Sequence, residues 1–150
     1  MAIGIIWGEI WNEAKWNTAI WAQAAGADTT PDQFTFTDQS GVALSSTITS
    51  AAITVTGIDA PAAIEVSGDA SSLYDINGSS TFVSTPGTVN NGDTVRARHT
   101  SSASYLTATN TAVTIGGVSG VSDTFTSITE GDPANSAFLY RPFSFNWWSD

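Results

Sequence analysis

The chain has 150 residues, no Cys and a formal net charge of −10, with four Lys or Arg residues against 14 Asp or Glu residues. This length predicts one domain with appended segments, and the absence of Cys excludes disulfides and thiolate metal sites. Phosphate neutralisation dominates nucleic-acid affinity, so four basic residues argue against a nucleic-acid partner, and the acidity disfavours anionic membrane surfaces.

The longest apolar stretch runs from Ile3 to Trp7, and polar residues that soon follow it leave it too short to span a membrane. No Lys or Arg precedes this stretch, so we expect no signal peptide, although Ala22-Gln23-Ala24 imitates a cleavage site. The sequence therefore predicts neither a membrane span nor a membrane partner.

Residues 1–27 are the first of three predicted zones and hold four of the six Trp residues of the chain. On a helical wheel Trp7, Trp11 and Trp21 fall in one stripe, whereas Trp16 lies on the opposite face. The same segment repeats a Trp every five residues from Trp11 onward, a period that fits neither a helix nor a strand. Two forms stay open, a short helix and an extended segment whose indoles fill successive pockets on another protein.

The second zone, residues 28–129, contains no Trp and alternates apolar with polar residues in short runs. Period-two alternation with β-branched residues is typical of half-buried strands, and dense Thr, Ser and Gly argue against helices. The predicted strands cover residues 34–37, 52–56, 64–67, 94–98, 113–115 and 125–128. Asn77-Gly78 predicts a hairpin between 74–76 and 81–83. Short strands at this spacing predict an all-β sandwich with Greek-key connections.

The third zone, residues 130–150, opens with a linker-like Glu-Gly-Asp-Pro sequence and continues into an aromatic tail. Six aromatic residues fall within eleven positions of this tail: Phe138, Tyr140, Phe143, Phe145, Trp147 and Trp148. The alternation of Phe143, Phe145 and Trp147 is typical of a strand. Isolated in water, this tail would expose a large aromatic patch.

Four segments of the middle zone occur in a characteristic order and spacing: DTTPDQFTFTD at 28–38, ITVTGI at 53–58, NGDTVRAR at 91–98 and TSSASY at 100–105. The middle zone thereby resembles a repeated immunoglobulin-like module of bacterial surface proteins and of the virion proteins of tailed bacteriophages. This resemblance implies an immunoglobulin-like β-sandwich used for display, spacing or weak surface adhesion, with no catalytic residues to transfer. Bacterial surface proteins usually carry many such modules behind a secretion signal, so one module favours a small phage virion protein. The Trp-repeat start is similar to openings of small phage structural proteins.

His99 is the one His of the chain and therefore the one candidate for the base of a nucleophile–His–acid triad. No Ser in a strained turn motif accompanies it, and we interpret it as a surface residue at the end of a strand. Arg96 and Arg98 share one face of that strand. They are suited to grip a carboxylate or an anionic sugar, but pairing with a nearby acidic residue is the stronger expectation.

The acidic residues are scattered and form no calcium-loop motif. Asp69, Asp75 and Asp93 lie near turns, where we expect them to form the turns and to solvate the surface. Paired carboxylates for glycoside hydrolysis and calcium ligands are weaker interpretations of the same residues. We therefore predict no catalytic residue, no metal site and no cofactor.

The aromatic residues of the two ends are the predicted partner-binding residues: Trp7, Trp11, Trp16, Trp21, Phe143, Phe145, Trp147 and Trp148. Trp is over-represented among residues that dominate binding energy. Four indoles that bury about 200 Å² each would bring roughly 20 kcal/mol of gross transfer free energy, before the costs of association and ordering. Two alternatives stay open: the indoles pack on their own sandwich, or Trp147 and Trp148 stack on a carbohydrate.

Together these features predict a non-enzymatic bacteriophage virion accessory protein, of the capsid-decoration or head-fibre type. Its Trp-rich ends would dock on capsid or tail proteins, as part of a homo-oligomer, and its immunoglobulin-like domain would project outward. The alternative is a tail-fibre or adhesin component that binds a host-surface saccharide or receptor. Both hypotheses place the chain in the virion, with no nucleic acid and no membrane as partner.

Overall fold

A computed structural model describes residues 26–136, which are almost entirely β-structure. The strands in chain order are β1 (Gln39–Val42), β2 (Thr47–Thr49), β3 (Ile53–Thr54), β4 (Ala62–Gly68), β5 (Leu73–Ile76), β6 (Gly87–Val89), β7 (Thr94–Thr100), β8 (Ala108–Ile115) and β9 (Val121–Thr129). A 3-10 turn, Gly117–Ser119, links β8 to β9, and a single helical turn, α1 (Pro133–Ser136), follows β9. Among these residues, no helix is long and apolar enough to cross a membrane. The prediction of an all-β chain is confirmed for this part.

The strands form two sheets. The first has five strands in the order β1-β9-β8-β4-β6, and the second is built around β7. Arg98 of β7 pairs with Thr49 on one side and with Leu73 on the other, so β2 and β5 flank β7. β3 continues along the same side as β2, with Ile53 opposite Val95. β1 runs parallel to β9, whereas the other strand pairs are antiparallel.

The inner faces of both sheets enclose one hydrophobic core. Its buried members come from both sheets, from the segment before β1 and from the loop after β3: Phe34, Phe36, Ile48, Val55, Ile58, Ala62, Ile64, Tyr74, Val89, Val95, Ala97, Val113, Ile115 and Phe125. The ring of Phe36 meets that of Phe125 edge-on, with centroids 6.5 Å apart. Phe34 packs edge-on against Phe36 in the same way. These aromatic contacts tie the segment before β1 to the first sheet.

One end of the interior is lined by hydroxyl groups instead of apolar side chains. Thr109 and Thr111 of β8 and Ser127 and Thr129 of β9 are buried on the inner face. The antiparallel register places Thr109 opposite Ser127, so these hydroxyls gather near the end of β9. Within the described residues, every buried side-chain nitrogen or oxygen has a hydrogen-bond partner. The polar end is therefore a satisfied network, which avoids the cost of burying unpaired polar groups.

The predicted strands at 64–67, 94–98, 113–115 and 125–128 all lie within longer observed strands, whose ends extend beyond the clear alternation. The segment 34–37 behaves differently, because Phe34 and Phe36 alternate in burial but form no ladder. The Phe36 N–H donates to the Asp123 carboxylate at 2.7 Å, and the Thr126 N–H donates to Asp38 at 2.7 Å. Side-chain carboxylates thus take the place of backbone ladder bonds beside β9.

The Asn77-Gly78 turn is present, but the predicted hairpin is almost absent. Both residues have positive φ, 55° and 63°, as a two-residue type I′ hairpin turn requires. The two arms nevertheless meet only at the bridge between Tyr74 and Val83. Along its other edge β5 pairs over its whole length with β7, from Leu73 to Ile76. β5 is therefore held mainly by a tertiary pairing, and the hairpin contributes a single bridge.

Candidate functional site

The predicted partner-binding residues lie outside the described residues: Trp7, Trp11, Trp16, Trp21, Phe143, Phe145, Trp147 and Trp148. Their binding role stays a prediction. The structure does show where the segments that carry them join the strands. Those two junctions define the ends of the domain, which we call the N-terminal pole and the C-terminal pole.

The N-terminal pole is formed where residues 28–31 pack on two loops. The Asp59 N–H donates to the Asp28 carbonyl oxygen at 3.0 Å, which ties the segment to the loop after β3. At Gly116, after β8, an added Cβ would lie 2.8 Å from the Thr29 carbonyl oxygen, so only glycine permits this approach. The N-terminal segment therefore enters beside the start of β9, where Val121 pairs with Ile115.

The C-terminal pole lies at the other end of β9. The Glu130 N–H donates to the Val42 carbonyl oxygen at 2.9 Å, and the Leu106 N–H donates to the Glu130 carbonyl oxygen at 3.1 Å. β9 has nine residues and joins the two poles. At about 3.4 Å per residue the poles are roughly 30 Å apart. Residues 28–31 and Glu130 therefore lie at opposite poles of the domain.

A shallow polar hollow of about 620 Å³ lies near the C-terminal pole. It is lined by Asp69, Ala70, Ser71, Thr100, Ser101, Ser102, Thr107, Ala108 and Thr109. Several of its polar groups already have internal partners: the Ser71 hydroxyl donates to Asp69 at 2.6 Å, and the Ser101 hydroxyl donates to the Ala43 carbonyl oxygen at 2.6 Å. The lining contains no aromatic ring on which a sugar would stack.

Arg96 and Arg98 share one face of β7, as predicted, and this is the outer face of the second sheet. Arg96 Nε donates to Asp75 Oδ1 at 2.9 Å, and a second bond joins Nη2 to Oδ2. The predicted pairing with an acidic residue is thus confirmed for Arg96. Arg98 places its guanidinium 4.1 Å from the centroid of the Phe82 ring, a cation–π arrangement. Between residues 26 and 136 these are the only Arg or Lys residues, so this face carries the positive charge of the described region.

The interpretation of Asp75 as a solvating turn residue is wrong. Its side chain is buried on β5, where it accepts the two bonds from Arg96 and a third from the Ser80 N–H at 3.1 Å. The hydrogen bond from Arg96 holds the pKa of Asp75 below its ordinary value of 3.8, against the opposing effect of burial. Asp69 and Asp93 do act as predicted, since each accepts a main-chain N–H within its own turn, from Ser71 and Asn90 respectively.

The interpretation of His99 as a surface residue is also wrong, because its side chain is 1% exposed. Its Nε2 lies 2.7 Å from the Ser127 hydroxyl, and its Nδ1 lies 2.9 Å from the Thr111 hydroxyl. The ring also stacks on Phe125, with centroids 5.0 Å apart. Burial lowers the pKa of His99 below its ordinary value of 6.5, although Asp69 opposes the shift.

The sequence did contain a signal for this burial. Val95 and Ala97 are inward on β7, so strand parity places residue 99 inward as well. The predicted strand 94–98 ends at Arg98, which leaves His99 outside the pattern. A neutral imidazole held between two hydroxyls, with no opening to solvent, is suited to join the sheets and not to take a proton from a substrate.

Comparison with known proteins adds no family to this description. No family model matches the chain, and no curated protein is significantly similar to it. Its function is therefore inferred from its own residues and their contacts. Among residues 26–136, no group of three His, Cys, Asp or Glu side chains is placed to hold a metal ion.

Large apolar side chains are exposed at four positions of the described region: Tyr105, Leu106, Val118 and Ile128. Val118 lies in the 3-10 turn at the N-terminal pole. The other three belong to the C-terminal pole, since Ile128 pairs with Ala108 and Leu106 bonds to Glu130. We call Tyr105, Leu106 and Ile128 the C-terminal patch. It lies where the chain continues toward the aromatic tail.

Proposed function

We propose that the chain is a non-enzymatic structural accessory protein of a bacteriophage virion, attached through its aromatic ends to other virion proteins. The observation that supports this proposal is that the described residues 26–136 already bring together an apolar core drawn from both sheets, although they include none of the six Trp residues. Residues from both sheets fill the interior, and the buried polar groups of the described region are all partnered. The six Trp residues lie outside this region, at positions before 26 and after 136. Trp is over-represented among residues that dominate binding energy, which supports a docking role for these ends.

We propose further that the two sheets form an immunoglobulin-like β-sandwich. In such folds the second, fourth and fifth strands share one sheet, and the third, sixth and seventh share the other. The interrupted strand β2–β3, then β5 and β7, supports the first group, whereas β4, β8 and β9 support the second. β1 departs from this pattern, because the rule places the first strand in the first group whereas β1 lies beside β9. β6 is an additional edge strand beside β4.

The positions of the two poles favour one arrangement on the particle. Because residues 28–31 and Glu130 lie about 30 Å apart, attachment on both sides of the domain is easiest when the domain lies along the particle surface. A domain that projects outward would require one segment to run back along its whole length. We therefore favour capsid decoration over a head fibre, with the domain bridging two attachment points. Homo-oligomerisation stays a prediction.

The adhesin alternative gains no support from the surface of the described residues. The polar hollow uses several of its groups internally and offers no aromatic ring to a saccharide. On the outer face of the second sheet, Arg96 is paired with Asp75 and Arg98 lies over the ring of Phe82. We therefore retain virion attachment as the proposed function.

The test replaces the gene for this chain in the phage that encodes it with a variant carrying Trp11→Ser, Trp16→Ser and Trp21→Ser. Purified particles are then assayed for the chain by immunoblot, relative to the most abundant particle protein. We expect strong loss of the chain, because three buried indoles would be removed from the interface. Val118→Ser is the matched control for removing an exposed apolar side chain. Normal incorporation of the triple variant would contradict the proposal.

A further inference from the structure

The chain contains two Asn-Gly pairs, Asn77-Gly78 and Asn91-Gly92, and both lie in exposed turns. The side-chain amide of an Asn that precedes Gly is unusually labile, because glycine leaves the following main-chain nitrogen uncrowded and lets the chain rotate about it. In the reaction this nitrogen attacks the Asn Cγ, so hydrogen bonds that hold the amide or the main chain slow it. The structure holds the two pairs in different ways.

Three hydrogen bonds hold Asn77 against the start of β7. Its main-chain N–H donates to the Thr94 carbonyl oxygen at 2.8 Å, and its Oδ1 accepts the Thr94 N–H at 2.9 Å. Its Nδ2 donates to Asp93 Oδ1 at 2.8 Å, a bond to a charged acceptor. Both polar atoms of the amide are therefore engaged, and the amide cannot turn toward the Gly78 nitrogen unless these two side-chain bonds break.

The turn at Asn91 is held by its neighbours and not by Asn91 itself. The Asp93 N–H donates to the Asn90 carbonyl oxygen at 3.1 Å, and the Asn90 N–H donates to Asp93 Oδ2 at 2.7 Å. Among the hydrogen bonds within residues 26–136, none involves the Asn91 side chain. Gly92 has a φ of 90°, and its N–H donates to the Val55 carbonyl oxygen at 2.8 Å, so a main-chain bond restrains the attacking nitrogen while the amide turns freely.

We propose that Asn91 is a site of spontaneous deamidation in the folded protein and that it reacts ahead of Asn77. The Gly92 nitrogen bonds to Asn91 Cγ and passes its proton, through water, to the departing Nδ2, so the Cγ–Nδ2 bond breaks and ammonia leaves. Water then opens the resulting cyclic imide at either of its carbonyls, which leaves an aspartate or an isoaspartate there. The attack at Asn91 costs the bond from Gly92 to Val55, whereas Asn77 must release both its amide bonds, including the bond to a carboxylate.

The product changes the turn that joins β6 to β7. Either form adds a negative charge to a chain whose formal net charge is already −10. The isoaspartate form also routes the main chain through the side-chain carbon, which inserts a methylene group into the turn. This turn is tied to Val55, just after β3, by the Gly92 N–H and by the Asp93 carbonyl oxygen, so we expect these bonds to weaken. Because Asp93 also holds the amide of Asn77, Asn77 becomes the second site to react.

The test is incubation of the full chain at mildly alkaline pH, in buffer and in enough urea to unfold it, followed by digestion and mass spectrometry. Chymotrypsin cleavage after Tyr74 and Phe82 puts the two Asn-Gly pairs in different peptides, and exchange of the amide for a carboxyl group is read as a mass gain in each. In urea both pairs should react at similar rates, because glycine follows each Asn. In buffer we expect Asn91 to react about tenfold faster than Asn77, equal to about 1.4 kcal/mol in the barrier.

Asn91→Gln is the blocking variant, because attack on the longer side chain forms a larger ring and is much slower. The mass gain of the corresponding peptide in buffer should disappear, and a gain that persists would show reaction elsewhere and overturn the inference. Equal rates at Asn77 and Asn91 in buffer, or a faster reaction at Asn77, would also overturn it. So would an Asn91 that stays intact in buffer for the time that converts it in urea. None of these results bears on virion attachment, which the Trp variants test separately.

Discussion

Acidification should destabilise the domain through His99. The ring is neutral and enclosed between Ser127 and Thr111, and its pKa is lowered by burial from the ordinary 6.5. As the pH falls below 6.5, the unfolded chain takes up a proton on this His before the folded chain does. The unfolded state then binds more protons, so the free energy of unfolding falls with pH. The stability that the neutral His99 ring contributes is fully present above pH 6.5.

The change in the free energy of unfolding is limited by the uptake of one proton by the unfolded chain. The slope is at most about 1.4 kcal/mol per pH unit, so a fall from near 6.5 to about 5 costs at most roughly 2 kcal/mol. The carboxyl groups whose pKa is shifted do not contribute to the change in stability over this pH range. Hydrogen bonds lower the pKa of Asp69, Asp75 and Asp93 below 3.8, so their contributions are lost only at more acidic pH.

The assay is urea unfolding of the full chain, followed by circular dichroism at several pH values between about 7 and 5. The control variant is His99→Gln, which keeps a polar side chain but cannot titrate. We expect it to be less stable than wild type at neutral pH and to lose the dependence on pH. Equal slopes for the variant and the wild type would refute the assignment to His99, and a flat wild-type profile would refute the buried neutral ring.

Four further variants test other features of the domain. Asp75→Asn should cost about 3 kcal/mol in urea unfolding, because it leaves the guanidinium of Arg96 without its carboxylate and keeps a buried polar group. Gly68→Ala should cost several kcal/mol, since its Cβ would lie 2.5 Å from a β8 carbonyl oxygen at a φ of 114°. Gly41→Ala, where nothing lies within 4 Å, should cost only the strain of positive φ, about 1 kcal/mol. Leu106 has a φ of 51°, in the left-handed region that bulky residues rarely adopt. Leu106→Asn should leave the thermal midpoint unchanged or raise it, by up to about 1 kcal/mol of stability, and a clear fall would contradict the strain at this residue.

The long strands were predictable because their period-two patterns are sustained. β4 and β7 each have seven residues, and alternation over that length marks one face as buried. β2, β3 and β6 have two or three residues each, too few to show a period. Their pairing is set by the long strands beside them. The pairing of segment 34–37 was also not predictable from its own residues, because the Phe36 N–H donates to the carboxylate of Asp123, which is distant in sequence.

The site was less accessible to sequence reasoning than the fold. Asp75 follows strand residues and precedes a turn, so nothing local distinguishes a buried ion pair from a turn former. Its partner Arg96 lies 21 residues away, on β7. The turn signal at 77–78 predicts pairing between 74–76 and 81–83 and gives no sign that β5 pairs with β7. Leu106 carries no sequence signal for positive φ, since glycine or asparagine would be expected there. The aromatic ends remain predictions from the sequence.

The opposite poles also determine how the domain would respond to mechanical load. If both end segments are fixed to a particle that expands or bends, the pull acts along β9 on one side and along the segment leading into β1 on the other. These two strands are parallel neighbours, from Gln39 opposite Ser127 to Val42 opposite Thr129. The pull therefore shears their hydrogen bonds, together with the carboxylate bonds of Asp38 and Asp123, instead of opening them one by one. A domain connected in this way would hold two points of a shell together under tension.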